Sequence, residues 1–290
     1  MSTTTTGRAL RTALDSDIDR LFSAEPDVRE DVPDSVHQMR VATRRLRSVL
    51  RSYRAMFRGK RVDDLRDDLR WLAGLLGVAR DAEVRAERFE ALAAEQSDKA
   101  RAAGRRLAKS ERARYAEAHR AVLAELDGER YARLRKRLSR LRSDPPLRRK
   151  VARKNAAKQF SAVLGDDFRR VRRLVRTEPE PEAPERVEHL HDIRKSAKRL
   201  RYCADAASAV LGGPAEELSS RAKKLQTVLG DHRDAVEAAE TIRARAEASA
   251  ARGSDTTGYE RLRQAETDSA RKALDQYPAA AAFVRNKYRN

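Results

Sequence analysis

At 290 residues the chain is long enough for one large or two small domains with a real core. Its 64 Lys and Arg against 45 acids leave a formal charge of +19, which selects a polyanionic partner: nucleic acid, polyphosphate or an acidic membrane surface. A single cysteine excludes an internal disulfide, 5% aromatic and 38% charged residues fit a helical bundle better than a β fold, and no apolar run approaches the ~20 residues that span a bilayer.

The start, Met-Ser-Thr-Thr-Thr-Thr-Gly, lacks the basic-then-apolar pattern of a secretory signal, and residues 1–7 are expected to be disordered. The chain reads as soluble and cytoplasmic. Arg8 to Phe22 predicts a first helix, with Leu10, Leu14, Ile18, Leu21 and Phe22 apolar. From Ser23 to Asp34 two prolines and several acids break it, and Asp34 or Ser35 can cap the next helix.

Residues 36–58 carry the strongest pattern. Met39, Leu46, Val49, Leu50, Tyr53 and Phe57 gather on one helical face. Beside them His37, Arg40, Arg44, Arg47 and Arg51 form a stripe spaced 3, 4, 3 and 4 residues, with Arg45 close by. At ~1.5 Å per residue the stripe is ~21 Å long. Lys and Arg occur nine times between Ser35 and Val62, and no acid does. A solvated helix face ordinarily interleaves both signs, so the missing counter-charge is expected to be a bound anion.

Residues 61–78 predict a third helix with Leu65, Leu69, Leu72 and Leu76 on its core face and Gly77 as its stop. Asp81 then falls at the start of the next helix, where an acid is favourable. Helices continue over Ala79 to about Ala103, Gly104 to Leu126, and Glu129 to Arg142. Asp144-Pro145-Pro146 is the sharpest break in the chain and the natural join between halves. From Arg130 to Lys154 there are twelve Lys or Arg and one acid, which reads as general positive surface. Val151 to Val175 predicts another helix, and Thr177 to Glu185 an acidic, Pro-rich loop.

The key stretch then recurs. In residues 190–203 a shift of 154 places His191 on His37, Arg194 on Arg40, Lys198 on Arg44, Arg199 on Arg45 and Arg201 on Arg47. Lys195 lies beside them. Ile193, Leu200 and Ala204 fall on Met39, Leu46 and Leu50, so the apolar face is repeated as well. Leu76-Gly77-x-x-Arg80-Asp81 recurs as Leu229-Gly230-x-x-Arg233-Asp234. The helix from Pro214 to Leu229 ends at Gly230 and carries Arg221 and Lys224, which lack basic equivalents in the first copy. Gly253 to Gly258 reads as a flexible turn, before a helix from about Tyr259 to Tyr277 and a last short one over Ala279 to Tyr288. The repeat is too long for a solenoid and fits a duplicated domain half.

These paired His-x-x-Arg-x-x-x-Arg/Lys-Arg-x-Arg helices, each succeeded by Leu-Gly-x-x-Arg-Asp, resemble the CHAD family, the conserved histidine α-helical domain. The resemblance covers residues 8–288, with halves at 8–143 and 147–288. It implies an all-α fold of two pseudo-symmetric helical bundles around a central basic pocket. It also implies binding of inorganic polyphosphate without a reaction of the domain's own, and association with polyphosphate granules.

The residues themselves suit that chemistry. Arg offers a planar fork to two phosphate oxygens, Lys a point charge and His⁺ a further donor. Groups every ~5–6 Å along one line can track a flexible phosphate chain. The predicted ligand contacts are the two stripes with Arg45, Lys195 and Arg199, plus Arg221 and Lys224. Nucleic acid is the alternative, disfavoured by the stripes' place beside the core and by the few aromatics among the basic residues. Arg80 and Arg233 need not reach the pocket. His189 and His191 are two apart, without metal-ligand spacing, so no metal is expected. His119 and His232 read as polar surface or capping residues, and Cys203 as a small core residue. Glu178, Glu180 and Glu182 alternate as in the triphosphate tunnel enzymes, but the intervening prolines exclude a strand. No phosphate loop, nucleophile elbow or catalytic triad is present, so no enzyme activity and no cofactor are expected.

Overall fold

A computed structural model describes residues 4–285, and no β-strand occurs among them. The fold is all-α, as the composition predicts. Helix α1 (Thr6–Arg29) begins at Thr5, whose side chain accepts from Arg8 N. The residues from Thr4 to Gly7, expected to be disordered, are instead tied down. Ala156 N donates to Thr4 O at 3.0 Å and Thr6 N to Lys154 O at 2.9 Å. α1 also runs through Pro26, where a break was expected. Proline forfeits an intrahelical hydrogen bond, but tertiary contacts hold the last turn. Val28 is fully buried, and buried Glu25 accepts from Arg29 Nε at 3.1 Å and Tyr131 Oη at 2.7 Å.

Helix α2 (Ser35–Ser52) carries the first stripe and ends in a 3-10 turn, Arg54–Met56. All six apolar residues of its predicted face are buried, each large side chain contributing about 2 kcal/mol. Helix α3 (Arg61–Ala94) passes straight through Gly77. An interior glycine costs about 1 kcal/mol against alanine, too little to end a helix whose next turns bury Ala79, Ala82, Ala86 and Phe89. Asp81 is therefore a helix-interior residue and starts no new helix.

Helix α4 (Asp98–Leu126) likewise contains Gly104, expected at a helix start. A Cβ at Gly104 would lie 2.6 Å from Ala93 Cβ, so the glycine permits close helix approach. Next come α5 (Glu129–Ser143), the single turn α6 (Arg149–Ala152) and α7 (Ala156–Arg176). The helix predicted over Val151 to Val175 is thus interrupted. Asn155 caps α7 by accepting from Lys158 N at 3.0 Å, and Lys154 O is engaged by Thr6. Helix α8 (Arg186–Leu211) carries the second stripe, and α9 (Gly213–Ala250) continues through Gly230 as α3 does through Gly77. α10 (Thr257–Asp275), α11 (Tyr277–Ala281) and a 3-10 turn, Ala282–Val284, complete the described chain. The expected extension of a helix to Tyr288 lies outside the described residues.

The chain forms two compact units. The first holds residues 4–77, Ala121–Gln226 and residues 281–285; the second holds Val78–Arg120 and Thr227–Ala280. Because α3 and α9 do not stop at their glycines, each unit draws on both sequence repeats and coincides with neither half. In the first unit α1 packs on α2, α7 on α8, and α2 on α8. The second unit has its own core, in which Phe89, Leu107, Ile242 and Leu262 are buried together.

Candidate anion-binding site

Both stripes lie in the first unit, on helices that pack against each other. The packing follows from the repeated apolar faces. Met39, Leu46 and Leu50 of α2 and Ile193, Leu200 and Ala204 of α8 are all completely buried. The flanking positions are therefore held at the edge of the core, and Arg40, Arg44, Arg47, Arg194, Lys198 and Arg201 are half-buried.

These six cations influence one another. Burial holds the Lys198 ammonium well below its ordinary value, and Arg44, Arg194, Arg40 and Arg201 depress it further. Burial also lowers Arg44 to about 10, with repulsion from Arg40, Arg194 and Arg47 added and Tyr202 opposing. No carboxylate is among the principal influences on either group. Arg194 Nε is buried without a hydrogen-bond partner. Arg201 stacks on the Tyr202 ring, 5.4 Å from its centroid, and donates to Gln226 Oε1 at 3.4 Å. Half-desolvated cations that repel one another in this way would be relieved by a bound anion.

The site extends onto residues that the sequence pattern does not single out. Burial lowers Arg47, with repulsion from Arg70 and Arg66 of α3 next in size. Burial also lowers the exposed Arg51, ahead of repulsion from Arg199, Arg170 and Arg66. Arg66 and Arg70 stand four apart on one face of α3, a signal obscured by their acidic neighbours Asp63 and Asp67. Gly77 also borders the site, since a Cβ there would sit 3.6 Å from Arg40 Nε.

Other predicted contacts already have protein counter-charges. Arg45 Nε meets Asp17 at 2.8 Å and its Nη1 meets Asp205 at 2.7 Å. Those carboxylates outweigh burial and raise the Arg45 pKa. Arg199 pairs with Asp167 at 2.7 Å. Lys195 is exposed and pairs with Asp192 at 2.6 Å, and Arg221 is exposed and pairs with Glu217. Lys224 is exposed on α9, while His37 and His191 are half-buried near the starts of α2 and α8.

The basic run through α5 is not the uncompensated surface that its sequence suggests. Arg130 and Arg137 both pair with Asp68, Arg133 with Glu129, Arg135 with Glu25 and Arg142 with Asp19. His119, read from the sequence as a polar surface or capping residue, is buried and stacked on Tyr115, and His232 Nδ1 lies 3.1 Å from Ala270 O. Cys203 is a core residue whose thiol is pushed up to about 12 by burial. Among the described residues no group of His, Cys, Asp or Glu is arranged to hold a metal ion. No described helix is long and apolar enough to cross a membrane.

Comparison with known proteins agrees with this architecture. The family described as "CHAD domain" matches residues 12–243. Two uncharacterized proteins from strains of Mycobacterium tuberculosis are 37% identical over 275 residues, covering 92% of this chain and 51% of theirs. The chain thus spans about half the length of the curated relatives it matches. PptA from Streptomyces chartreusis superposes with a TM-score of 0.79 at 20% identity, covering 96% of this chain and 99% of that one. The crystal structure of the CHAD domain from the plant Ricinus communis superposes with a TM-score of 0.68 at 22% identity, covering 98% and 91%. At these identities the two structures speak for the fold.

Proposed function

Since the chain belongs to the CHAD family, we propose that it binds inorganic polyphosphate through the cations of α2 and α8, without catalysing a reaction. The observation that carries this reading is the position of Lys198. It lies among Arg40, Arg44, Arg194 and Arg201, drawn from both stripes, and no acid is among its principal influences. A free chain of phosphates supplies the closely spaced negative charge that such a half-buried cluster of cations lacks. The helix pairs α1–α2 and α7–α8 then serve as two pseudo-symmetric halves around one basic pocket.

Polyphosphate is favoured over nucleic acid by shape. The cations are half-buried at the core edge and do not stand out to enter a duplex groove. Trp71, the single tryptophan, is covered by the Arg130 guanidinium at 4.5 Å and offers no open stacking platform. Association with cytoplasmic polyphosphate granules follows from the same reading.

The test is a competition binding assay of long-chain polyphosphate against duplex DNA and RNA at equal phosphate concentration. Polyphosphate should displace both. Preferential retention of either nucleic acid would replace this function with the alternative.

A further inference from the structure

A second cleft in the first unit, of about 660 Å³, lies where the loop entering α3 meets the C-terminal end of α5. That volume is within the range of small-molecule sites. Its loop is anchored on both sides. Arg58 N donates to Pro146 O at 2.8 Å, Arg148 N to Met56 O at 2.9 Å, and Arg54 Nη2 to Gly59 O at 2.9 Å. Gly59 turns the chain at φ +71°, a conformation that favours glycine. The cleft is thus preformed.

Its lining differs in kind from the α2–α8 cluster. Arg58, Lys60, Arg61 and Arg140 border it and make no ion pair among the described residues. Asp64 of α3 and Asp144 at the end of α5 also line it, likewise outside any ion pair among the described residues, and buried Val62, Leu65 and Leu141 contribute an apolar floor. The two sites also use different sides of α3. At 100° per residue Arg61, Asp64 and Leu65 fall together, whereas Arg66 and Arg70, the neighbours of Arg47, lie well round the helix.

We propose that this cleft is a separate binding site for a nucleoside phosphate. The four cations take the phosphate, the two carboxylates accept from hydroxyl or amino groups, and the apolar floor and guanidinium planes take the base. A bare phosphate chain fits less well, because Asp64 and Asp144 repel it and nothing in it covers the floor.

The test is isothermal titration calorimetry with AMP and, separately, with orthophosphate. AMP should saturate at one per chain, with orthophosphate at least tenfold weaker. Arg61→Glu with Arg140→Glu should weaken AMP at least tenfold, with circular dichroism unchanged. Lys60→Glu on the exposed loop gives the same readout if the double variant fails to fold. Lys198→Glu, in the other site, should leave AMP binding intact. Absence of AMP binding, equal affinity for orthophosphate, or loss of AMP binding in Lys198→Glu alone would each overturn the proposal. None of these readouts uses polyphosphate, so their outcome is independent of the function proposed above.

Discussion

Arg199 of α8 meets Asp167 of α7 at 2.7 Å, and an equivalent anchor occurs in the first repeat, where Arg45 of α2, 154 residues before Arg199, meets Asp17 of α1 at 2.8 Å. Both aspartates are buried, only 3% and 2% exposed. Each pair joins a stripe helix to the helix before it. Arg45 and Arg199 thus have a structural task, while Arg44 and Lys198, one position before them, make no ion pair among the described residues.

Breaking such an anchor leaves a desolvated charge without its partner. Asp167→Ala should therefore lower stability by about 3 kcal/mol, measured as a shifted urea midpoint at unchanged slope. Lys198→Met should act in the opposite direction and raise the midpoint, because it removes a half-buried cation from among four neighbouring cations. A destabilised Lys198→Met variant would mean that the ammonium has a protein counter-charge after all.

The lowered Lys198 pKa makes stability depend on pH with a definite sign. Folding favours the neutral amine, so the unfolded chain binds more protons and stability rises with pH. The rise should occupy the window from the lowered folded value up to the ordinary lysine value of about 10.4. Comparing urea midpoints of the wild type and Lys198→Met across this window isolates the contribution. Parallel pH profiles would contradict it. Within that same pH window polyphosphate binding should be coupled to proton uptake at Lys198, visible as a binding enthalpy that varies with the buffer's ionisation enthalpy.

The two stripes should behave as one site. Arg44→Glu and Lys198→Glu should each weaken polyphosphate binding and reduce the salt slope by about one to two, since one cation is lost and one anion gained. Their combined effect should differ from the sum of the singles, because the two side chains are electrostatic neighbours. Lys136→Glu is the control, on an exposed residue of the basic run. Arg135 would serve badly, because its reversal would set a second carboxylate beside buried Glu25. Equal weakening by Lys136→Glu would assign the binding to net charge instead of to the cluster.

Purified protein should neither hydrolyse nor extend polyphosphate in the presence of Mg²⁺ or Mn²⁺. Orthophosphate release above a heat-inactivated control, abolished by Lys198→Glu, would make the site catalytic.

Helical periodicity is a local property, and the features that depend on it were legible in the chain itself. The all-α class, the burial of Met39, Leu46 and Leu50, their recurrence as Ile193, Leu200 and Ala204, and the alignment of Arg40, Arg44 and Arg47 on one flank all come from residues three and four apart. Tertiary structure decided which of those cations are paired with a protein carboxylate. Arg45 reads in sequence like Arg44, but its counter-charges are Asp17 and Asp205, 28 and 160 residues away. The α5 arginines are likewise neutralised by distant Asp68, Glu25 and Asp19. Local propensity also misplaced the helix ends at Pro26, Gly77 and Gly230, because a penalty of about one to a few kcal/mol per residue is outweighed when the turns beyond are buried. Long-range packing sets both outcomes, since it alone determines which distant side chains share a low-dielectric edge.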